Sequence, residues 1–262
     1  MFVSQGYAFD NFNPEAIDQH ACLAAIQDPV TTSRLAELDL TGRRCLEIGA
    51  GGGSIARWLA DRVGPDGEVV ATDIKPVHIA EHPRLRIELN DVVNDPLPGG
   101  AWDVIHARLV LQHLPSRRDV LRRLAAALAP GGALLLEEWD TRPRDIVLAA
   151  PDAESALLYR RYLDTLVDRI LVGSGSDPTW ATQMHAAMLA EGLVVDTVVA
   201  ARSWSGGTPG TLLVATNINH LREAFLAAGW TADHIDALRA LVRDPGFVVR
   251  GHLLYSTLGR RS

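Results

Sequence analysis

Lysine is almost absent from this chain: Lys75 stands alone among 25 basic residues, and the rest are arginine. That bias fits a GC-rich coding sequence and carries no function. Cysteine is nearly as scarce. Cys22 and Cys45 are the only two, which argues against a disulfide framework and against a metal site, so no metal is expected. Cys45 opens an apolar run and reads as a small buried hydrophobe. Apolar runs such as 133–136 are far too short to span a bilayer. Residues 1–10 carry neither a basic nor an apolar segment, so no secretory signal is read there. These absences lead to the expectation of a cytoplasmic chain with no membrane partner.

Positive charge is also in short supply. The net charge is −7 and the isoelectric point about 5.7. An acidic surface repels phosphate backbones, so no nucleic-acid partner is expected. The best candidate for a basic patch, Arg117, Arg118, Arg122 and Arg123, lies at helical spacing beside Leu121 and Leu124. That spacing reads as the solvated face of an amphipathic helix.

What is present is an ordinary globular composition, 47% apolar and 22% charged over 262 residues. A chain this long can bury a sheet with helices on both faces. We expect one domain over 1–262, with cap elements at 1–38, 141–191 and 203–230 laid over a core. Helical periodicity marks 14–27, and Pro29 is expected to break that helix before another at 30–38. Short apolar strands at 44–48, 68–72, 85–89, 102–106 and 133–137 alternate with helices at 54–63 and 119–128. Such alternation implies a parallel sheet with right-handed crossovers. The second half reads as helices at 153–171, 178–191, 212–228 and 231–242, with strands at 193–200 and 247–255.

The chemistry sits where the first strand ends. Glu47-Ile48-Gly49-Ala50-Gly51-Gly52-Gly53-Ser54 closes a strand and opens a helix. Glycines there let the backbone turn sharply and approach a ligand. A dinucleotide loop would place Gly or Ala where Ser54 stands. Glu47, two residues before the first glycine, would oppose a pyrophosphate and suit a cationic ligand. Asp73 follows the second strand, Asn90-Asp91-Val92 the third, and Pro130-Gly131-Gly132 precedes the fifth.

In that order and spacing, over roughly 43–140, these residues resemble the class I S-adenosylmethionine-dependent methyltransferases, of the bacterial small-molecule or natural-product type. The resemblance implies an α/β, Rossmann-like fold. Its seven-stranded, mostly parallel sheet has order 3-2-1-4-5-7-6, the last strand antiparallel, under a helical cap. It implies S-adenosylmethionine as cofactor. Glu47, Ile48, Gly49, Ala50, Gly51 and Gly53 would form the cofactor loop. Asp73, beside Ile74, would hold both ribose hydroxyls, as a carboxylate can for a vicinal diol. Asn90, Asp91 and Val92 would bracket the adenine, with Asp91 toward its amine. Ala107, Arg108, His113 and Tyr7 complete the expected cofactor contacts.

The expected activity is methyl transfer to a small organic acceptor, an intermediate of secondary-metabolite biosynthesis. His113, just beyond the fourth strand, is the candidate catalytic residue, because imidazole can act as a base near neutrality; Glu138 and Asp140 come second. Phe2, Tyr7, Phe9, Phe12, Trp139, Tyr159, Tyr162, Trp180 and Trp204 fall in segments that can cover the site, though packing of the cap helices is the favoured reading for each. An alternative keeps the same cofactor motifs for non-methylation chemistry, cyclisation or dehydration of a natural-product intermediate. A non-catalytic cofactor-binding subunit is disfavoured by the intact motifs, and an NAD-dependent oxidoreductase by Glu47 and Ser54. A homodimer stays open.

Overall fold

The computed structural model describes residues 8–262; Phe2 and Tyr7 lie outside that range. The first element is helix α1 (Glu15–Leu35), followed by β1 (Arg44–Ile48), α2 (Ser54–Ala60), β2 (Glu68–Asp73), β3 (Leu85–Leu89) and β4 (Trp102–Arg108). Then come α3 (Arg117–Ala126), β5 (Leu128–Asp140), β6 (Val147–Ala149), α4 (Ala153–Asp164), α5 (Trp180–Ala190) and β7 (Val194–Ala200). The chain ends with β8 (Ser203–Ser205), α6 (Pro209–His220), α7 (Arg222–Ala227), α8 (Ala232–Leu241), β9 (Val248–Arg250) and β10 (Leu253–Arg260).

Seven strands form the main sheet in the order β3-β2-β1-β4-β5-β10-β7. β10 runs antiparallel to both β5 and β7, and the pairs from β3 to β5 are parallel. Counted along the chain within this sheet, β7 is sixth and β10 seventh. The order is therefore the 3-2-1-4-5-7-6 implied by the resemblance. The sheet faces follow the period of two. Leu46 and Ile48 join Trp102, Ile105, Leu134 and Leu136 under α3 and α5. Cys45 joins Val69, Ala71, Val104 and Leu135 under α2 and the end of α1. A third cluster, centred on Tyr159, Tyr162, Phe225, Trp230 and Phe247, holds α4, α6, α7, α8 and the smaller sheet β6-β9-β8 together.

Four boundaries differ from the sequence reading. Pro29 does not end a helix: α1 is continuous through it. Proline removes one ladder hydrogen bond, but Thr31 and Thr32 hydroxyls take the Gln27 and Asp28 carbonyls, at 3.3 and 2.6 Å, and buried Gln27, Thr31 and Leu35 anchor the helix on both sides. The strand expected at 247–255 is two strands, one in each sheet. The chain crosses between them at Gly251, where a Cβ would lie 2.4 Å from the Trp204 ring. Pro130-Gly131-Gly132 lies inside β5 as an irregularity, because Trp102 pairs with Leu128 while Val104 pairs with Ala133. Finally, 212–228 is broken at Leu221 into α6 and α7.

Candidate active site

The carboxyl ends of β1, β2 and β4 open onto a cavity of about 400 Å³, within the range of small-molecule sites. Its floor is the loop after β1. Gly49 and Gly51 have φ of 63° and 55°, a region that side chains penalise. A Cβ on Gly49 would also lie 2.4 Å from the Val110 side chain. The Gly51 N–H donates to Asp73 Oδ2 at 2.9 Å. Asp73 Oδ1 accepts from the Lys75 N–H at 2.8 Å and from Asn11 Nδ2 at 3.2 Å. The carboxylate is thus fixed at the cavity wall, with lone pairs to spare for a diol.

On the neighbouring strand end, the Asn90 N–H donates to the Asp73 carbonyl at 3.0 Å; the Asn90 side chain donates its amide to the Pro96 carbonyl at 2.9 Å, and its Oδ1 is buried without a partner among the described residues. Asp91 accepts from the Val93 N–H at 2.9 Å and from Asn94 Nδ2 at 2.8 Å, so it also braces its own loop.

Beneath the loop lies a buried polar chain. Glu47 on β1 sits opposite His106 on β4, and its Oε2 is 2.7 Å from His106 Nδ1. His106 Nε2 is 3.4 Å from Glu137 on β5. Burial alone would lower the His106 pKa; the two carboxylates overcome this and raise it to about 9. Glu137 accepts from Ser256 Oγ at 2.6 Å and from Thr31 Oγ1. Arg108 then donates to Thr31 Oγ1 and to Asp28 Oδ1, both at 2.8 Å. The chain thereby ties four strands, β1, β4, β5 and β10, to α1.

A second cavity, about 110 Å³, lies against the first. Its walls include Trp139, Tyr159, Tyr162, Trp204, Leu213 and His252. His20, Leu23, Leu109 and His113 border both cavities. Leu109 has φ 56°, a strained backbone of the kind that accumulates at functional sites.

A family described as "Methyltransferase domain" matches residues 23–249. The chain belongs to this family. Among individual relatives, "Methyltransferase str2" of Strobilurus tenacellus is 41% identical over 100 residues, covering 37% of this chain and 36% of that protein. "Trans-aconitate 2-methyltransferase" of Variovorax paradoxus is 35% identical over 118 residues, 43% of this chain and 45% of that protein. The matches therefore span less than half the length of these curated relatives. Among solved structures, the YcgJ protein of Bacillus subtilis shares the fold, with a TM-score of 0.50 at 15% identity over 92% of this chain and 98% of that one. The class I methyltransferase resemblance read from the motif order holds for family and fold. S-adenosylmethionine goes with it as the cofactor.

Glu47, Ile48, Gly49, Ala50, Gly51, Asp73, Ile74, Asn90, Asp91, Val92, Arg108 and His113 all line the larger cavity. Two expected residues are placed elsewhere. Ala107 pairs with Ile48 and Leu136 in the core, because the strand's alternation turns it away. Gly53 is the left-handed residue that starts α2, and a Cβ there would meet Ile79 at 2.8 Å. Glu138 and Asp140 line neither cavity. Glu138 is fully buried, and burial pushes its pKa up to about 8 while backbone N–H groups of Gln112, Leu111 and Val110 oppose the shift. Asp140 pairs with Arg142 at 2.8 Å.

His113 Nδ1 is 2.8 Å from Ser176 Oγ. Burial, with Arg117 nearby, pushes its pKa down to about 4. Of the covering aromatics, Phe9, Trp139, Tyr159, Tyr162 and Trp204 line the second cavity. Trp180 packs in the core under α5, and Phe12 is exposed. The arginines of α3 are all engaged within the chain: Arg117 with Asp177, Arg118 with Gln183, Arg122 with Asp119, and Arg123 with the Val92 carbonyl.

Sequence reasoning missed Asn11, His20 and His78. His20 reaches over the glycine loop, its Nε2 3.3 Å from where a Gly51 Cβ would stand, and packs edge-on to His78 at 5.6 Å. No motif signals it. Only the docking of α1 brings it to the loop.

Proposed function

We propose that the chain transfers a methyl group from S-adenosylmethionine to a small organic acceptor in the second cavity. The observation that carries this reading is the common border: His20, Leu23, Leu109 and His113 touch both spaces. When bound, the cofactor supplies an already activated methyl group, so the protein's task is mainly alignment. Asp73 would accept from the ribose hydroxyls, and Asn90 would offer its unpartnered Oδ1 to the adenine amine. Glu47, Glu137 and Asp28 carry three formal negative charges against the positive charges of His106 and Arg108. The remaining negative charge favours a sulfonium and opposes a pyrophosphate.

His113 serves as a positioning wall at the border. A base with a pKa near 4 has little affinity for a proton taken from an acceptor at neutral pH. The second cavity is walled by α4, α6 and the β5 end, a setting for a biosynthetic intermediate of modest size. Calorimetry with S-adenosylmethionine, followed by assay of S-adenosylhomocysteine release against candidate acceptors, tests the reading. Binding of the cofactor in the micromolar range and one equivalent of S-adenosylhomocysteine per acceptor consumed are expected. Acceptor consumption without that equivalent would move the assignment to cyclisation or dehydration chemistry. Tight NADH binding would sink it altogether.

A further inference from the structure

The walls of the second cavity hold no Asp, Glu, Lys or Arg among the described residues. Trp139 and Trp204 lie 6.2 Å apart on one side, and Tyr159 and Tyr162 lie 5.9 Å apart in the same lining. A charged acceptor would lose its hydration here with no charged side chain in the lining to pair with directly, which is costly. The free space, about 110 Å³, is on the scale of one aromatic ring, since a dry cavity of about 150 Å³ takes up benzene.

The polar groups inside are mostly used up. Gln19 donates to Asn217 at 2.7 Å, and Asn217 donates to the Tyr162 hydroxyl at 3.4 Å. His252 differs. Its ring lies against Trp139 at 5.4 Å, and its Nδ1 is buried with no hydrogen-bond partner among the described residues. An imidazole left in this state is costly to bury unless something bound there completes it. Burial, and the guanidinium groups of Arg144 and Arg250, push its pKa down to about 4, so it is a neutral ring with one donor and one acceptor.

Resting on the methyl-transfer reading above, we infer that the acceptor is an uncharged, single-ring aromatic molecule with a neutral hydrogen-bonding substituent that His252 holds. Its methyl-accepting group points the other way, to the border with the cofactor cavity. The size, the missing charges and the unmatched imidazole each restrict the acceptor independently.

Two probes of equal size separate this from other classes: 4-hydroxybenzamide, which is neutral, and 4-hydroxybenzoate, which carries one negative charge. Each is titrated calorimetrically into the full chain, after S-adenosylhomocysteine has been shown to bind and is held at saturation. The neutral probe is expected to bind at least tenfold more tightly than the anion. His252→Phe is expected to weaken the neutral probe about tenfold and to leave S-adenosylhomocysteine affinity unchanged. Equal or tighter binding of the anion overturns the inference. So does millimolar failure of both probes on cofactor-loaded protein, or a His252→Phe variant that keeps full affinity for 4-hydroxybenzamide. Failure of S-adenosylhomocysteine itself to bind would instead show that the methyl-transfer reading is at fault, and the acceptor assignment falls with it. Because the probe comparison uses the unmodified chain, the test stands even if the variant misfolds.

Discussion

Asp73 is the residue on which the cofactor assignment turns most directly. It accepts from the backbone of Gly51 and Lys75 and from Asn11, so it both shapes the loop and faces the cavity. Asp73→Ala should weaken S-adenosylmethionine binding by roughly 1.5–3 kcal/mol, the scale of hydrogen bonds to a charged group. Calorimetry on the folded variant checks this, and unchanged affinity would remove the assignment.

His113 makes the opposite kind of prediction. With its pKa pushed down to about 4, it stays neutral through the physiological range. The single-turnover rate should then show no inflection near pH 6.5. His113→Ala should raise the cofactor dissociation constant and leave the single-turnover rate at saturating cofactor within about tenfold. A collapse of ~10²–10⁴-fold with unchanged cofactor affinity would restore the general-base role.

At the scale of elements, α1 matters most, because it closes the cofactor cavity and supplies His20. It is fastened to the sheet through Arg108, Thr31 and Asp28. Arg108→Met keeps most of the apolar stem and removes the tie. The loss of partly buried, charge-assisted bonds should cost about 1.5–3 kcal/mol of stability. It should also weaken the cofactor several-fold, since α1 carries His20. Urea unfolding and calorimetry on one preparation measure both; full affinity in the variant would show that the Arg108 tie is not what holds α1 over the cavity.

The β1–β5 half was legible because short apolar strands ending in Gly or Asp have few alternative readings. α1 was legible as a helix but not as a wall. Its apolar positions are spread around it, with Ile17 exposed and Gln19, Gln27 and Thr31 buried. No stripe marks the docked face, so nothing in the sequence sets His20 apart from other histidines. The smaller sheet escaped for another reason: strands of three residues such as β8 and β9 carry too little alternation to read, and Gly251 hides the crossing inside an apolar run.

For the whole molecule, buried ionisable groups set a stability optimum in pH. His113 and His252 have native pKa values of about 4 against an ordinary 6.5, and His20 and His220 are also lowered, by burial first. Their contribution is complete above pH 6.5 and is lost as pH falls toward 4, because the unfolded chain takes up protons that the native one refuses. Glu137, lowered by His106 in spite of burial, adds to the acid limb.

Two groups act the other way. His106, raised to about 9 from 6.5, stabilises fully below 6.5 and less as pH rises through 9. Glu138, raised to about 8 from 4.5, loses native stability over that interval, because only the unfolded chain ionises freely. From 4.5 to 6.5 the histidines outnumber Glu138, and above 6.5 His106 and Glu138 act together. The melting temperature should therefore peak at about pH 6.5 and fall on both sides, by about 2–4 °C per kcal/mol for a chain of this size. Scanning calorimetry from pH 4.5 to 9 reads the curve. Glu138→Gln should flatten the part of the alkaline limb between pH 6.5 and 8 and steepen the acid limb, where Glu138 opposes the histidines. His106→Gln should lower the whole curve, because Glu47 and Glu137 lose their shared cation, and should remove the decline between 8 and 9. An alkaline limb unchanged in both variants would mean that the buried Glu47–His106–Glu137 chain is not charged in the way its geometry requires.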